Sequence, residues 1–198
     1  MSEHNNTAVF LDRDGTINIE FKEEFPALDP KEMVLIPKSG EAISKLNKLG
    51  LKAIVITNQS SIAKGYITEE ILSKIHERMI ELLAEENALL DDIFYCPHYP
   101  NGKVQKYSKI CECRKPKPGL VKLAQEKYKL NLSNCFCVGD MIRDFELGHN
   151  LNMRNILVLT GKGKKTQEEL LKIGHTPEYV ATDLFDAVNY IEKTLLKN

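Results

Sequence analysis

The chain has 198 residues, of which 42% are hydrophobic and 28% are charged, as is ordinary for a soluble globular protein. This length is typical of one domain, and we expect residues 1–198 to form a single domain. Lys and Arg number 27 and Asp and Glu number 28, so the formal net charge of -1 provides no general attraction for nucleic acid or an anionic membrane. Trp is absent, which argues against a base-stacking surface.

The cysteine content bears on the cellular compartment. No apolar run approaches the ~18 residues of a membrane-spanning helix, and the polar first residues do not resemble a signal peptide. We therefore expect a cytoplasmic protein whose five cysteines stay reduced, and an odd count also fits poorly with a set of disulfides. Three of the cysteines lie between residues 96 and 113, which suggests a shared role.

Apolar runs rich in β-branched or aromatic residues alternate with amphipathic stretches along the chain. The apolar runs predict strands at residues 7–11, 51–56, 93–96, 135–138 and 155–159. Helical spacing of apolar residues predicts helices at residues 40–49, 68–86, 120–129, 142–151 and 183–196. This alternation predicts an α/β fold, a Rossmann-like parallel sheet with helices on both faces.

Two segments do not follow the alternation. Residues from about 18 to 37 contain three prolines among acidic and aromatic residues, and we expect a structured flap there. Residues from about 96 to 118 contain four prolines, several lysines and the clustered cysteines, and this stretch is too long for an ordinary connection. Both segments are candidates for shaping a binding site.

Asp12 and Asp14 follow the first predicted strand directly. In an open parallel sheet, ligands bind beyond the carboxyl ends of the strands, and Mg²⁺ prefers carboxylate oxygens together with substrate phosphate. One carboxylate can then attack phosphorus while the other transfers protons. The alternative is a surface turn, since Asp and Gly both favour turns.

Three further polar motifs also lie at predicted strand ends or ahead of a helix. They are Thr57 with residues 58–60, the basic run 114–117, and Asp140 with Asp144. Taken singly, each has an ordinary interpretation: a helix cap, a solvated basic loop or a capped helix start. Four such motifs in this order favour one phosphate-binding site.

The four motifs resemble those of the haloacid dehalogenase superfamily of phosphohydrolases, over about residues 8–189. The resemblance implies a Mg²⁺-dependent, minimal-cap enzyme that works through an aspartyl-phosphate. It implies four catalytic residues: the nucleophile Asp12, the acid/base Asp14, the phosphoryl-binding Thr57 and the cation Lys115. The predicted Mg²⁺ ligands are Asp12, Asp14 and Asp140, and the predicted substrate contacts are Asn58, Gln59, Ser60 and Arg114.

A second metal site is predicted by the C-x-H and C-x-C pairs in the proline-rich loop. Cys96, His98, Cys111 and Cys113 offer three thiolates and one imidazole, which suits a closed tetrahedral Zn²⁺ site of structural type. The alternative is scattered thiols and a surface histidine. Cys135 and Cys137 alternate along a predicted strand and receive no ligand role.

The zinc loop and the residues flanking Asp12 and Arg114 look like those of D-glycero-D-manno-heptose-1,7-bisphosphate phosphatases. That resemblance implies removal of the 7-phosphate of a heptose bisphosphate in bacterial surface-sugar (lipopolysaccharide core or nucleotide-heptose) synthesis. A bisphosphate needs cations for its second phosphate, and Arg114, Lys117 and Lys64 are candidates. The chain departs from the family pattern at residues 19–23 and at Met141, where the family usually has Lys or Arg. One substrate-side cation is therefore missing, unless Arg143 substitutes for it.

Three alternatives remain open. Histidinol-phosphate phosphatases share the motifs, although they tend to have a shorter zinc loop. A phospho-aspartate receiver domain also surrounds an aspartyl-phosphate with acids, a Thr and a Lys. An acid two residues beyond the nucleophile, as at Asp14, favours fast dephosphorylation rather than a lasting switch, and a zinc loop has no place in a receiver. A non-catalytic zinc-binding adaptor is possible only if the acidic residues of these motifs take no part in catalysis. For partners, we expect a small sugar phosphate, no nucleic acid and no membrane, and a monomer, although the sequence does not determine the oligomeric state.

Overall fold

The computed structural model describes residues 6–21 and 29–196. The strands are β1 (Ala8–Leu11), β2 (Lys52–Asn58), β3 (Asp92–Cys96), β4 (Phe136–Gly139), β5 (Arg154–Val158) and β6 (Tyr179–Ala181). They form one parallel sheet in the order β3-β2-β1-β4-β5-β6, so β1 lies between β2 and β4. The order reverses direction beside β1, where open α/β sheets bind ligands.

The helices lie between successive strands, except for the last helix, which follows β6. They are α1 (Ser39–Lys48), α2 (Ser60–Ala63), α3 (Glu69–Glu85), α4 (Gly119–Tyr128), α5 (Ile142–Asn150), α6 (Gly163–Lys172) and α7 (Leu184–Leu195). Side chains fix two of the starts: Thr68 accepts from Ile71 N at the start of α3, and Asp183 accepts from Asp186 N at the start of α7. No helix in residues 6–21 and 29–196 is long and apolar enough to span a membrane.

Both faces of the sheet are covered. Along β1, Val9 and Leu11 belong to the core that contains residues of α1, α3 and α7, whereas Ala8 and Phe10 belong to the core that contains residues of α4. All four are fully buried. Because side chains alternate along a strand, a strand covered on both faces is a continuous apolar run. The predicted Rossmann-like fold with helices on both faces is therefore confirmed.

The predicted elements are present with ends shifted by at most two residues, and three elements were missed. β6 has only three residues and α2 only four, too short for a periodic signal. The third, α6, buries only Gly163, Thr166 and Leu170, so it lacks an apolar stripe.

The two ends of the predicted flap pair with each other. Ile19 N donates to Val34 O at 2.9 Å, and Ile36 N donates to Ile17 O at 2.9 Å. Residues 22–28 of the flap lie outside the described residues. The paired ends bring Glu20 and Phe21 beside the carboxyl edge of the sheet, where both line a cleft.

Candidate active site

The register of the sheet brings the predicted motifs together. Leu11 is aligned with Val55 on β2 and with Val138 on β4. Asp12 N donates to Val138 O at 3.0 Å, which fixes the first residue after β1. The residues that end β1, β2 and β4 therefore meet at one edge, as the sequence predicted.

Lys115 lies between two carboxylates at this edge. Its Nζ is 2.9 Å from Asp12 Oδ1 and 2.6 Å from Asp144 Oδ1, and all three residues are at most 3% exposed. Burial alone lowers the pKa of Lys115, but the charges of Asp12 and Asp144 outweigh it and raise that pKa above its ordinary value. Lys115 is therefore a fixed positive charge beside Asp12.

A group of three carboxylates surrounds the same point. One oxygen from each of Asp12, Asp140 and Asp144 lies within 4.8 Å of the other two, and such a group can hold a metal ion. Burial raises the pKa of Asp12 against the opposing charge of Lys115, and burial together with Asp12 raises the pKa of Asp140 to about 7. Two of the oxygens, Asp12 Oδ2 and Asp140 Oδ1, are buried without a hydrogen-bond partner among the described residues.

Asp14 is placed differently from the three grouped carboxylates. Arg13 donates to both of its oxygens at 2.9 Å, and Asn18 Nδ2 and Gln59 Nε2 donate to them at 3.1 and 3.0 Å. Burial alone raises the pKa of Asp14, but Arg13 and these hydrogen bonds outweigh it and lower that pKa. The structure thus brings Asp144, rather than the Asp14 side chain, into the group with Asp12 and Asp140.

Arg13 was missed as a site residue by the sequence reasoning. It is 1% exposed, lies between the two motif aspartates and makes a two-pronged contact with Asp14. The only signal was its position in the Asp-Arg-Asp run. Its effect is to fix the orientation and charge of Asp14.

The polar residues at the end of β2 connect the parts of the site. Gln59 Nε2 donates to Thr57 Oγ1 at 2.9 Å as well as to Asp14, so one side chain bridges two predicted catalytic residues. Asn58 bonds to both main-chain groups of Lys115, at 3.0 and 3.1 Å. Ser60 begins α2 and lines the cleft.

A cleft of about 370 Å³ opens beside Asp14. Its cations are Arg13, Lys64, Arg114, Arg143 and Lys162, and its aromatic residues are Phe21, Tyr66 and Tyr99. Of the predicted phosphate-binding cations, Lys64 and Arg114 line the cleft, whereas the partly exposed Lys117 does not line it and pairs with Glu112 at 2.8 Å. The aromatic residues and Lys162 were not predicted, because only tertiary structure brings them to this edge.

Arg114 is held against the zinc-loop residues. Its Nη1 donates to His98 O at 3.1 Å, and its guanidinium carbon is 5.3 Å from the centre of the Tyr99 ring. Burial, and then the nearby charge of Arg143, lower the pKa of Arg114. Burial would also lower the pKa of Arg143, but the Asp12 and Asp144 carboxylates outweigh it and raise that pKa. Two guanidinium groups therefore share one wall of the cleft.

The segment after β5 completes the floor of the site. Lys162 N donates to Asp140 Oδ2 at 2.7 Å, and Thr160 Oγ1 donates to Gly15 O at 2.6 Å. A Cβ at Gly15 or Gly161 would overlap the Asp140 carboxylate, and both glycines have positive φ. Beyond Gly161 and Lys162, the chain enters α6 at Gly163.

Cys96, His98, Cys111 and Cys113 converge as the sequence predicted. The sulfur–sulfur distances are 3.1 Å (Cys96–Cys113), 3.3 Å (Cys111–Cys113) and 3.5 Å (Cys96–Cys111), and His98 Nδ1 is 3.3 Å from Cys113 Sγ. A zinc tetrahedron with ~2.3 Å bonds has sulfur–sulfur edges of about 3.8 Å, close to this arrangement. These four residues can hold a metal ion.

Cys135 and Cys137 lie outside both groups of potential metal ligands. Cys135 Sγ donates to Asn131 O at 3.2 Å, and Cys137 Sγ donates to Asp144 O at 3.3 Å. Both are buried in the sheet, and burial raises the pKa of each thiol.

Comparisons with known proteins are consistent with this geometry. A family model described as HAD-hydrolase-like matches residues 112–187. A D-glycero-beta-D-manno-heptose-1,7-bisphosphate 7-phosphatase of Pseudomonas aeruginosa is 38% identical, covering 96% of this chain and 97% of that protein. The protein of the same name from Escherichia coli K12 is 34% identical, covering 94% of each chain.

Solved structures give the same result. The crystal structure of D,D-heptose 1,7-bisphosphate phosphatase from B. bronchiseptica, complexed with magnesium and phosphate, has a TM-score of 0.80 with this chain. Its sequence is 32% identical, and the match covers 98% of this chain and 99% of that one. The likeness therefore extends over sequence, fold and length.

Proposed function

The chain belongs to the D-glycero-D-manno-heptose-1,7-bisphosphate 7-phosphatase family of haloacid dehalogenase-like hydrolases, and we propose that it removes the 7-phosphate of a heptose 1,7-bisphosphate. Membership confirms the resemblance predicted from the motifs and makes the protein a phosphatase. The observation that carries the proposal is the buried Lys115 between Asp12 and Asp144, which Asn58 connects to a cleft lined by cations. A nucleophilic carboxylate beside a fixed cation suits attack on a phosphate ester.

We assign the Mg²⁺ site to Asp12, Asp140 and Asp144. One oxygen of each carboxylate converges with the others, and Asp12 Oδ2 and Asp140 Oδ1 have no hydrogen-bond partner within residues 6–21 and 29–196. Hard oxygen ligands suit this ion. When bound, Mg²⁺ neutralises charge on the transferred phosphoryl group and on the carboxylates. The Asp14 side chain, predicted as a ligand, is instead held by Arg13 and Gln59 and serves proton transfer.

The reaction then follows from the placement of the side chains. Asp12 attacks phosphorus, the bond to the sugar oxygen breaks, and Asp14 delivers a proton to that oxygen. A water molecule next attacks the aspartyl-phosphate while Asp14 accepts its proton, which releases phosphate and restores Asp12. Lys115 and Thr57 bind the phosphoryl oxygens in both steps.

The protonation of Asp14 changes between the two steps. Since Arg13 lowers the pKa of Asp14, the carboxylate form predominates in the free enzyme, and this form accepts a proton from water. An anionic phosphate arriving beside Asp14 raises its pKa, which allows it to carry the proton needed by the leaving alcohol. Asn18 and Gln59 keep the carboxylate aimed at the cleft throughout.

We assign a structural Zn²⁺ site to Cys96, His98, Cys111 and Cys113. Four soft or borderline ligands at tetrahedral spacing leave no open coordination position, so the site serves stability rather than chemistry. Lys115 follows Cys113 by two residues, and Gln59 N donates to Cys96 O at 2.8 Å. The zinc loop therefore anchors Lys115, which pairs with Asp12, and Gln59, which bonds to Asp14 and Thr57.

A substrate panel tests the proposed function. The purified enzyme is assayed with both anomers of heptose 1,7-bisphosphate, with histidinol phosphate and with p-nitrophenyl phosphate. We expect the highest kcat/KM for one of the heptose bisphosphates, and equal rates on p-nitrophenyl phosphate would contradict the assignment. Faster hydrolysis of histidinol phosphate would favour the alternative substrate.

Asp12→Asn tests the nucleophile in the same panel. It should abolish phosphate release, while Glu126→Gln on the exposed face of α4 should change little. Turnover retained by Asp12→Asn, with unchanged folding by circular dichroism, would exclude Asp12 as the nucleophile.

A further inference from the structure

A second groove lies between α3 and the edge strand β3, outside the cleft that opens beside Asp14. Its volume is about 430 Å³, which is in the range of small-molecule sites, and none of its lining residues also lines that cleft. Among the described residues that line the groove, four are acidic and none is Lys or Arg. The groove is therefore a negatively charged site that is separate from the candidate active site.

Two of the carboxylates lie on one face of α3. Glu69 and Glu77 have Ser73 midway between them, so the three residues lie on successive turns and the two acids are about 12 Å apart along the helix axis. The other two carboxylates, Asp91 and Asp92, lie at the start of β3. None of the four belongs to a group of potential metal ligands within residues 6–21 and 29–196. Acids spread along a groove in this way suit a cation with several separated charges better than they suit a single metal ion.

The four acidic side chains differ in how far neighbouring cations neutralise them. Asp91 and Asp92 pair with lysines outside the groove, at 3.4 and 2.7 Å. Glu69 has only a long ion pair of 3.8 Å with an exposed lysine. Glu77 accepts a hydrogen bond from Ser73 Oγ at 3.1 Å and forms no ion pair within the described part of the chain. Glu69 and Glu77 are therefore the carboxylates best able to bind a further cation.

His76 gives an independent indication of a ligand in this groove. It lines the groove, is 8% exposed and contacts the Tyr95 ring edge to face, with ring centres 5.8 Å apart. Its Nε2 is buried and has no hydrogen-bond partner among residues 6–21 and 29–196. Burial, and then the charge of Arg13, lower the pKa of His76 to about 3, so the ring is neutral and one of its nitrogens can accept a hydrogen bond. A cationic N–H group of a ligand would supply the missing donor.

The rest of the lining is apolar and consists of Ile80, Leu90 and Ile93. Ile80 is 48% exposed, so its side chain is available to cover part of a ligand. A linear amine combines separated ammonium groups with methylene segments that apolar side chains can cover. We propose that this groove binds an aliphatic polyamine, with ammonium groups on Glu69 and Glu77 and methylene segments against the apolar residues. One ammonium group also donates to the His76 imidazole.

Titration with spermidine, a linear triamine, tests this inference. Calorimetry is carried out on the zinc-containing enzyme at saturating Mg²⁺, so that the active-site carboxylates are occupied and do not bind the amine. Glu77→Gln should weaken spermidine binding about five- to tenfold, because it removes a charge-assisted hydrogen bond at an exposed position. His76→Phe keeps an aromatic ring against Tyr95 but removes the acceptor, and it should weaken binding about three- to tenfold.

Two controls separate a specific site from general attraction between charges. Glu168→Gln removes an equal charge from an exposed position of α6 and should leave the spermidine affinity unchanged. n-Butylamine has one ammonium group, so it cannot reach Glu69 and Glu77 together and should bind at least about tenfold more weakly than spermidine. A melting curve for each variant detects a folding defect. If His76→Phe is defective, the exposed substitution Glu77→Gln decides the result.

Three results would overturn the inference. The first is no detectable binding of spermidine at millimolar concentration. The second is unchanged binding in Glu77→Gln, which would place the amine elsewhere on the protein. The third is equal weakening in Glu77→Gln and Glu168→Gln, since only the net charge would then matter. Because the titration does not depend on sugar phosphate hydrolysis, failure of this inference is distinguishable from failure of the proposed function.

Discussion

The side chain of Asn58 binds both main-chain groups of Lys115. Asn58 Oδ1 accepts a hydrogen bond from Lys115 N at 3.0 Å, and Asn58 Nδ2 donates one to Lys115 O at 3.1 Å. The two residues are 57 positions apart in the chain. Because Asn58 ends β2 and Lys115 follows the zinc-binding loop, the pair ties that loop to the sheet beside Asp12. The lysine is thus positioned by its backbone as well as by its two ion pairs.

Removing the contacts of Asn58, which also lines the cleft, should lower activity by displacing Lys115. We expect Asn58→Ala to lower kcat about 10- to 100-fold, because small misplacements of catalytic groups are costly. Steady-state kinetics with a melting curve measure the effect. Asn134→Ala, at an exposed position before β4, serves as the control, and a kcat for Asn58→Ala within twofold of the unmodified enzyme would contradict a positioning role.

The contact between Arg13 and Asp14 leads to a prediction about pH. Arg13 lowers the pKa of Asp14, so its removal in Arg13→Gln should raise that pKa. The carboxylate form exists above the pKa and is needed for attack by water, so the acid limb of the kcat profile should move to higher pH.

Measurement of kcat from about pH 4 to about pH 9, which spans the ordinary pKa values of carboxyl groups and histidine, locates this limb. Arg13→Lys keeps the charge and should shift the limb less than Arg13→Gln. A limb that moves to lower pH in Arg13→Gln, or that does not move, would contradict the assigned role of Asp14.

The sequence was sufficient to bring three of the four motifs together because each lies at the end of an apolar strand. Asp12 and Asp140 directly follow β1 and β4, and Thr57 is the next-to-last residue of β2. A parallel sheet places such ends together whatever the details of packing. The same reasoning does not specify which carboxylate oxygens converge. Asp14 and Asp144 are both acids near this edge, and only the contacts of Arg13 and Lys115 separate their roles.

The cleft walls show the limit of sequence reasoning more clearly. Tyr66, Tyr99 and Lys162 lie in three connections that are far apart in the chain, and no local pattern marks them. The convergence of Cys96, His98, Cys111 and Cys113 was predictable because their spacing and residue types are typical of a zinc site. Cleft residues lack such a pattern, since many side chains can face a sugar.

Substitution of a proposed zinc ligand should release zinc, whereas substitution of another cysteine should not. We expect Cys111→Ser to lose bound zinc, to lower the melting temperature and to lower kcat by about tenfold or more, since Lys115 follows the ligands closely. Metal analysis of gently purified protein and a melting curve measure the first two effects.

Cys135→Ser is the matched control for this substitution. Cys135 is buried beside Ala8 and Asn131, away from the zinc ligands, so this variant should retain about one zinc per chain. Equal zinc loss in both variants would indicate a general folding defect, and full zinc retention by Cys111→Ser would remove Cys111 from the ligand set.

The Mg²⁺ affinity should depend on pH, because protons compete with the ion for the Asp140 carboxylate. Burial and the nearby Asp12 raise the pKa of Asp140 to about 7 in the metal-free protein, and a carboxylate must lose its proton to bind the ion. Below that pKa, each unit of pH should weaken the apparent Mg²⁺ affinity by about tenfold, whereas above it the affinity should level off.

Calorimetric or kinetic Mg²⁺ titrations at pH 6, 7 and 8 measure this dependence, a window of about one unit on each side of the shifted pKa. Asp140→Asn cannot be protonated in this range, so it should bind Mg²⁺ weakly and with a flatter pH dependence. Glu126→Gln should behave as the unmodified enzyme does. A Mg²⁺ affinity that is independent of pH in the unmodified enzyme would mean that Asp140 is already ionised at pH 6. A Mg²⁺ affinity that rises on acidification would exclude Asp140 as a ligand.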